Sequence, residues 1–157
     1  MPLTLPGKPV SESYSEYSEL ALPNDSNSLG NLLGGKVMHL VDLAGAMAAM
    51  RHSRNVVVTA AIDQMSFLHP VRIGQWVRLR SAVNRVFRTS MEVGVKVYVE
   101  DLIRGEMQHT SSAYLTFVAI DAENNPVAVP PVIPETDDEK RRYEEAGLRR
   151  EYRLRKK

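Results

Sequence analysis

Between Val37 and Met50 the chain carries one charged side chain, Asp42, and one other titratable group, His39. A carboxylate set into so apolar a run costs solvation free energy unless it is paired or put to use. In use it would act as a general base on water or attack a carbonyl directly as a nucleophile. Upstream, Asn27 stands in a loop, where an asparagine either shapes a turn or offers its amide to a substrate or a water. Gly34 and Gly35 come directly before the helical run. Backbone N–H groups there, at the positive end of a helix dipole, suit a carbonyl oxygen that becomes an oxyanion; a tight turn also accounts for a glycine pair.

Other chemistries find little support. The chain has no cysteine, which excludes disulfides, thiolate nucleophiles and cysteine metal sites. Its four histidines, His39, His52, His69 and His109, are scattered. His39 and Asp42 are three apart on one helix, a spacing that metal sites use, but no third ligand follows and no metal is expected. His52, at the helix end, is expected to meet terminal carbonyls or the dipole; His69 lies in a His-Pro turn. There is no G-x-S-x-G elbow, P-loop or G-x-G-x-x-G, so equipment for serine hydrolysis, nucleotide hydrolysis and hydride transfer is missing.

Those residues need a scaffold. At 157 residues the chain suits one domain with a real core. Residues 1–10 read as a loose, proline-punctuated arm without the apolar centre of a signal peptide. Residues 11–134 read as the domain proper. Within it, 11–22 suit an edge strand, and 23–35 a loop dense in Pro, Asn, Ser and Gly. Residues 36–51 hold good helix formers, apolar around most of the circumference and kept thin by Ala44, Gly45, Ala46, Ala48 and Ala49, which predicts a buried helix. Four strands follow. Residues 56–65 are almost continuously apolar, as in a central strand. In 76–87 and 90–100, Val77, Leu79 and Val83, then Met91, Val93, Val95, Val97 and Val99, alternate with polar neighbours. Residues 108–120 make the last strand. Short links imply antiparallel neighbours, so the expected fold class is α+β, a long helix wrapped by a curved antiparallel sheet whose edges an oligomer would cover. Residues 135–157 hold nine Lys/Arg and seven Asp/Glu. Spacings of four, as in Asp137–Arg141 and Glu145–Arg149, predict a solvated helical tail.

A formal net charge of +1 gives no reason to expect nucleic acid or a membrane surface as partner. A nucleic-acid arm at the last nine residues is the weaker reading, because acidic residues dilute the charge. No stretch of about 18 apolar residues is present. A cytoplasmic location is expected.

In combination the motifs resemble one family. The N-x-x-G-x-x-x-G-G loop (Asn27, Gly30, Gly34, Gly35), the run Asp42-Leu43-Ala44-Gly45-Ala46, the pair Arg51-His52 and the F-L-x-P-V-x-x-G turn from Phe67 to Gly74 are similar to the hotdog acyl-CoA thioesterases, the group of YciA-like bacterial enzymes and cytosolic acyl-CoA hydrolases. The likeness runs over roughly residues 20–136. It implies hydrolysis of fatty acyl-CoA to free acid and CoA, with no cofactor beyond the CoA of the substrate itself. It also implies a shared-sheet dimer, in the family often built up to a hexamer as a trimer of dimers. The family's catalytic aspartate matches Asp42 and its asparagine matches Asn27, the two coming from opposite subunits, with the Gly35 N–H at the oxyanion. Leu33 departs from the aromatic or histidine of many relatives, which bears on acyl-chain preference. For the CoA phosphates the candidates are Arg51, Arg54 and Arg88 with Thr89 and Ser90, since phosphates call for cations and N–H donors, and Gly34 is a further substrate-binding candidate. The alternatives are a hotdog enoyl-thioester hydratase, which would use His39 with Asp42, a non-catalytic acyl-CoA-binding protein, and a structural oligomer with a decayed site.

Overall fold

The computed structural model describes residues 5–156. In chain order it has β1 (Lys8–Pro9), a short 3-10 turn, β2 (Ser15–Leu20), a second 3-10 turn, α1 (Gly34–Ser53), β3 (Val56–Phe67), β4 (Trp76–Phe87), β5 (Ser90–Asp101), β6 (Glu106–Ile120), β7 (Val132–Ile133) and α2 (Asp137–Arg155). Five strands form an antiparallel sheet in the order β2-β4-β5-β6-β3. The period-two pattern decides which face α1 meets: Val77, Leu79, Val83, Met91, Val93, Val95, Val97, Leu115 and Phe117 are all buried, and so are Leu40, Val41, Ala44 and Ala48 of the helix. The small residues of α1 allow a close approach. A Cβ added at Gly45 would stand 2.9 Å from the Phe117 ring. The result is the hotdog arrangement, a long helix gripped by an antiparallel sheet.

The helix starts two residues earlier than its sequence pattern indicates, so Gly34 and Gly35 lie within its first turn rather than ahead of it. It ends at Arg54, which adopts a left-handed conformation with φ 56° and returns its N–H to the Met50 carbonyl.

Three expectations need correction. Residues 56–65 are not a central strand in the single chain: β3 is an edge, paired only with β6, and Val56 and Val58 are exposed. A continuous apolar run is equally what a strand needs when its outer edge is to be covered by another molecule. The segment read as a loose arm is tied down from Lys8 onward, its first four residues lying outside the described ones. Lys8 and Pro9 pair in parallel with Val132 and Ile133, Val10 is buried, and the Lys8 ammonium donates to the His52 carbonyl at 2.9 Å. The charged tail is a helix, begun by a reciprocal capping box between Thr136 and Glu139 and solvated on its outer side, but its inner face is packed on the sheet. It crosses the sheet face opposite α1, where Arg149 grips Glu92 through two hydrogen bonds of 2.9 and 2.7 Å, Arg85 donates to the Tyr143 carbonyl and Arg153 pairs with Asp63. Glu92 is fully buried, and Asn84 Nδ2 donates to it at 3.0 Å.

Candidate active site

Asp42 stands on a stripe of α1 shared with Met38, Leu43 and Met50, which remain exposed beside the uncovered edge of the sheet. The carboxylate is half-buried, and Thr59 of β3 donates its hydroxyl to Asp42 Oδ1 at 2.6 Å. Among the described residues no donor reaches Oδ2, which leaves that oxygen to take a proton. Thr59 was not singled out from the sequence. The signal available was a lone hydroxyl within an otherwise apolar Val56-Val57-Val58-Thr59-Ala60-Ala61 run.

Asn27 lies in the loop before the N-terminal end of the helix. Its loop is knit to residues 71–73, with Leu32 N–H on the Val71 carbonyl at 2.7 Å and Ile73 N–H on the Gly30 carbonyl at 3.1 Å. The turn depends on Gly30, whose φ of 79° disfavours any residue with a Cβ. Asn27 Oδ1 accepts from Leu29 N–H at 2.9 Å and Asn31 N–H at 3.1 Å. With the oxygen committed, only the amide nitrogen is left to act outward, and it is a donor. Asn27 lines a cavity of about 240 Å³ together with Gly34, Val37, Phe67, His69 and Val71. Leu33, the N-cap, offers no side-chain cap, so the N–H groups of Gly34 and Gly35 have no partner among the described residues.

Asp42 does not line that cavity. It follows Gly34 by eight residues, about 12 Å along the helix axis at 1.5 Å per residue. A single chain therefore keeps the carboxylate and the amide apart. His39 is exposed, and no hydrogen bond joins it to Asp42. His109 bonds Ser112 at 2.7 Å. His52 is buried with Nε2 2.7 Å from the Pro130 carbonyl, which answers a carbonyl beyond the sheet instead of the helix end; its Nδ1 has no partner. Burial holds its pKa below the ordinary histidine range. Among the described residues no three His, Cys, Asp or Glu side chains gather as metal ligands would.

The candidate phosphate-binding residues fall at the opposite end of α1 from Asn27. Arg54 leads into β3, whose Val57 pairs with Ala119, and Ala119 N–H also meets the Thr89 carbonyl. Arg88 occupies the β4–β5 turn with φ 68°, and Ser90 lies 3.5 Å from the Arg150 guanidinium. Arg51 is spent on β2, donating to the Tyr14 carbonyl at 3.1 Å and Ser15 Oγ at 2.8 Å. No helix among the described residues is long and apolar enough to cross a membrane.

A family model for the thioesterase superfamily matches residues 29–106. The chain is 41% identical over 128 residues to an uncharacterized acyl-CoA thioester hydrolase, YkhA, of Bacillus subtilis, covering 82% of this chain and 74% of the relative. An apo-hexameric acyl-CoA thioesterase superposes with a TM-score of 0.92 at 40% identity over 97% of each chain. An acyl-CoA hydrolase from Staphylococcus aureus, solved with butyryl coenzyme A, coenzyme A and coenzyme A disulfide, does so with a TM-score of 0.90 at 36% identity, over 96% of this chain and 92% of its own. That hydrolase has also been solved as variants with an aspartate, an asparagine or a threonine changed to alanine.

Proposed function

The chain belongs to the thioesterase superfamily and is an acyl-CoA thioesterase, and from that premise we propose how its residues divide the work. Asp42 is the general base, Thr59 holds it, and the Asn27 amide with the Gly35 N–H receives the thioester oxygen. The observation that carries the reading is the Asp42–Thr59 pair, one carboxylate oxygen fixed by a hydroxyl and the other without a donor. Aspartate, asparagine and threonine are also the three residue types changed in the variants of the staphylococcal hydrolase.

Asp42 Oδ2 takes a proton from water as its oxygen attacks the thioester carbon. The carbonyl becomes an oxyanion facing the Gly35 N–H and Asn27 Nδ2, both donors at the positive end of α1. Collapse re-forms the carbonyl and breaks the carbon–sulfur bond. The leaving thiolate has a pKa of about 8.5 as a simple thiol, so no strong general acid is required. Asn27 acts as a donor to the thioester, since its own oxygen is engaged within the loop. No step is assigned to a metal or an organic cofactor; CoA enters as part of the substrate.

The halves of the site meet across a dimer in this proposal. A second copy pairs β3 against β3 and covers Val56, Val58, Met38 and Leu43. It brings the Asn27 loop of one subunit to the Asp42 of the other, and the Arg54, Arg88, Thr89 and Ser90 end toward the same cleft as phosphate contacts, with Gly34 at the helix start. Three such dimers make a hexamer, as in the apo-hexameric neighbour. A cytoplasmic setting belongs to the same reading, CoA thioesters being made and consumed inside cells.

Asp42→Asn and Asn27→Ala subunits provide the test. Each alone is expected to lose nearly all thiol release from acyl-CoA while keeping its assembly. Unfolded together and refolded as a mixture, they regain about a quarter of wild-type turnover, because half the dimers are hybrids and each hybrid holds one intact site. Activity in Asp42→Asn alone sinks the mechanism, and a mixture that stays inactive sinks the shared site.

A further inference from the structure

The sheet face away from α1 holds a cavity of about 270 Å³ that no step of the hydrolysis uses. It exists because small residues meet at one register: Ala82 pairs with Gly94, leaving a notch in the middle of the face. Tyr114, across from Gly94 on β6, and Tyr98 stand as walls, and α2 contributes Arg142. A glycine inside a strand weakens it and marks a place where something approaches closely. Asn84 takes part of that room, with Nδ2 3.0 Å from where a Cβ at Gly94 would stand, and the cavity is what remains.

The charges around the notch are unbalanced. Arg80 and Lys96 are direct cross-strand partners on this face, a like-charge pair that costs stability by itself. Arg80 Nε lies 3.3 Å from Glu16 Oε1, an acid it shares with Arg78, but makes no hydrogen bond there. Among the described residues neither Lys96 nor Arg142 has an ion-pair or side-chain hydrogen-bond partner, and the same holds for the hydroxyls of Tyr98 and Tyr114. Guanidinium groups already back both rings, Arg80 at 5.3 Å from the Tyr98 centroid and Arg149 at 3.6 Å from that of Tyr114. Three cations around an aromatic-walled notch, two of them cross-strand neighbours and only Arg80 paired with an acid, describe the chemistry of an anion site.

We propose that this cavity binds a phosphorylated small molecule carrying a flat ring, at a site separated from the hydrolytic residues by the thickness of the sheet. The phosphate sits among Arg80, Lys96 and Arg142, relieving the cross-strand repulsion, and the ring lies against Tyr98 and Tyr114 over the Ala82–Gly94 floor. The cations supply charge-assisted contacts, and the notch supplies selectivity for a ring over a bare phosphate.

Calorimetric titration of the full-length protein with phenyl phosphate, and in parallel with inorganic phosphate, tests this. Phenyl phosphate is expected to bind once per chain, at least fivefold more tightly than inorganic phosphate and more weakly as salt is raised. Lys96→Gln and Arg142→Gln should each weaken it about tenfold, the value of one charge-assisted hydrogen bond. Ala82→Phe, which fills the notch without touching a charge, should remove it. Asp42→Asn should leave it unchanged while removing turnover, so failure here and failure of the catalytic reading are seen separately. The proposal is overturned by an absence of binding to the wild type, by binding that survives in Lys96→Gln, Arg142→Gln and Ala82→Phe, or by binding that Arg88→Gln removes instead. A change in assembly mass in Lys96→Gln or Arg142→Gln, read by light scattering, also overturns it and makes this face a contact between copies.

Discussion

Replacing Arg149 by methionine removes the only cation that pairs with Glu92 among the described residues. The carboxylate is fully buried in the middle of the sheet, held by two hydrogen bonds from Arg149 at 2.9 and 2.7 Å and one from Asn84 at 3.0 Å. In Arg149→Met one neutral donor remains for a buried negative charge. Breaking such a pair from one side costs about 3–5 kcal/mol, chiefly through the charge left unpaired. In a chain of this size each kcal/mol lowers the melting temperature by about 2–4 °C, which puts the expected drop at roughly 6–20 °C. The double variant Glu92→Gln/Arg149→Met removes both charges and keeps a neutral amide beside Asn84, and it should recover at least about 2 kcal/mol relative to the single variant, since replacing both members of a buried pair is often close to neutral. Denaturant melts of wild type, both single variants and the double variant, at one fixed protomer concentration, close the cycle. A loss below about 1 kcal/mol in Arg149→Met, or additivity of the two substitutions, would refute the view that α2 is clamped through a buried ion pair, and would return it to the solvated helix that its charge spacing indicates.

Thr59→Ala should lower kcat about tenfold or more with KM little changed, through loss of a charge-assisted hydrogen bond to the base, and Thr59→Ser should restore it; an unchanged kcat in Thr59→Ala removes Thr59 from the site. Gly45→Ala forces a Cβ to 2.9 Å from Phe117 and should cost about 1–3 kcal/mol by overpacking, read as a lower denaturation midpoint. His52 is held neutral by burial, so its folded pKa lies below the unfolded value of about 6.5. Above that value both states are neutral and nothing is lost. As pH falls through it the unfolded chain takes the proton first, and stability declines by up to about 1.4 kcal/mol per pH unit until the folded pKa is reached. Melting temperatures from pH 7.5 to 5 should therefore fall more steeply for wild type than for His52→Gln, and parallel curves would show that the ring does not titrate in this way.

The core was legible because its pattern is local. Alternation in 76–87 and 90–100 gave the strands and their buried face, and the alanines of residues 44–49 gave a thin buried helix. Asp42 was conspicuous as a lone charge in apolar surroundings. What escaped depends on contacts distant in sequence. An edge strand awaiting cover and a central strand need the same apolar composition, so β3 was misplaced. Spacing along α2 described its own charges and carried no information about Glu92, which sits 57 residues before Arg149. Arg51 reads as a cation free for phosphate until its bonds to Tyr14 and Ser15 are seen. Thr59 acquires meaning only when β3 lies beside α1.

The edge of β3 is not straight. Its pairing with β6 slips between Thr59 and Ala61 and again between Ile62 and Gln64. Each irregularity bends and twists the strand. A flat foreign strand, or a misfolded neighbour extending in regular register, loses contact with such an edge within a few residues. A second copy run antiparallel carries the same two kinks in mirrored order and can follow the curve along its length. If a second copy pairs there as proposed, the bulges work as a lock whose key is the chain itself. In the proposed dimer they let a twelve-residue, largely apolar edge serve the chain's own assembly while denying that edge to amyloid-like growth.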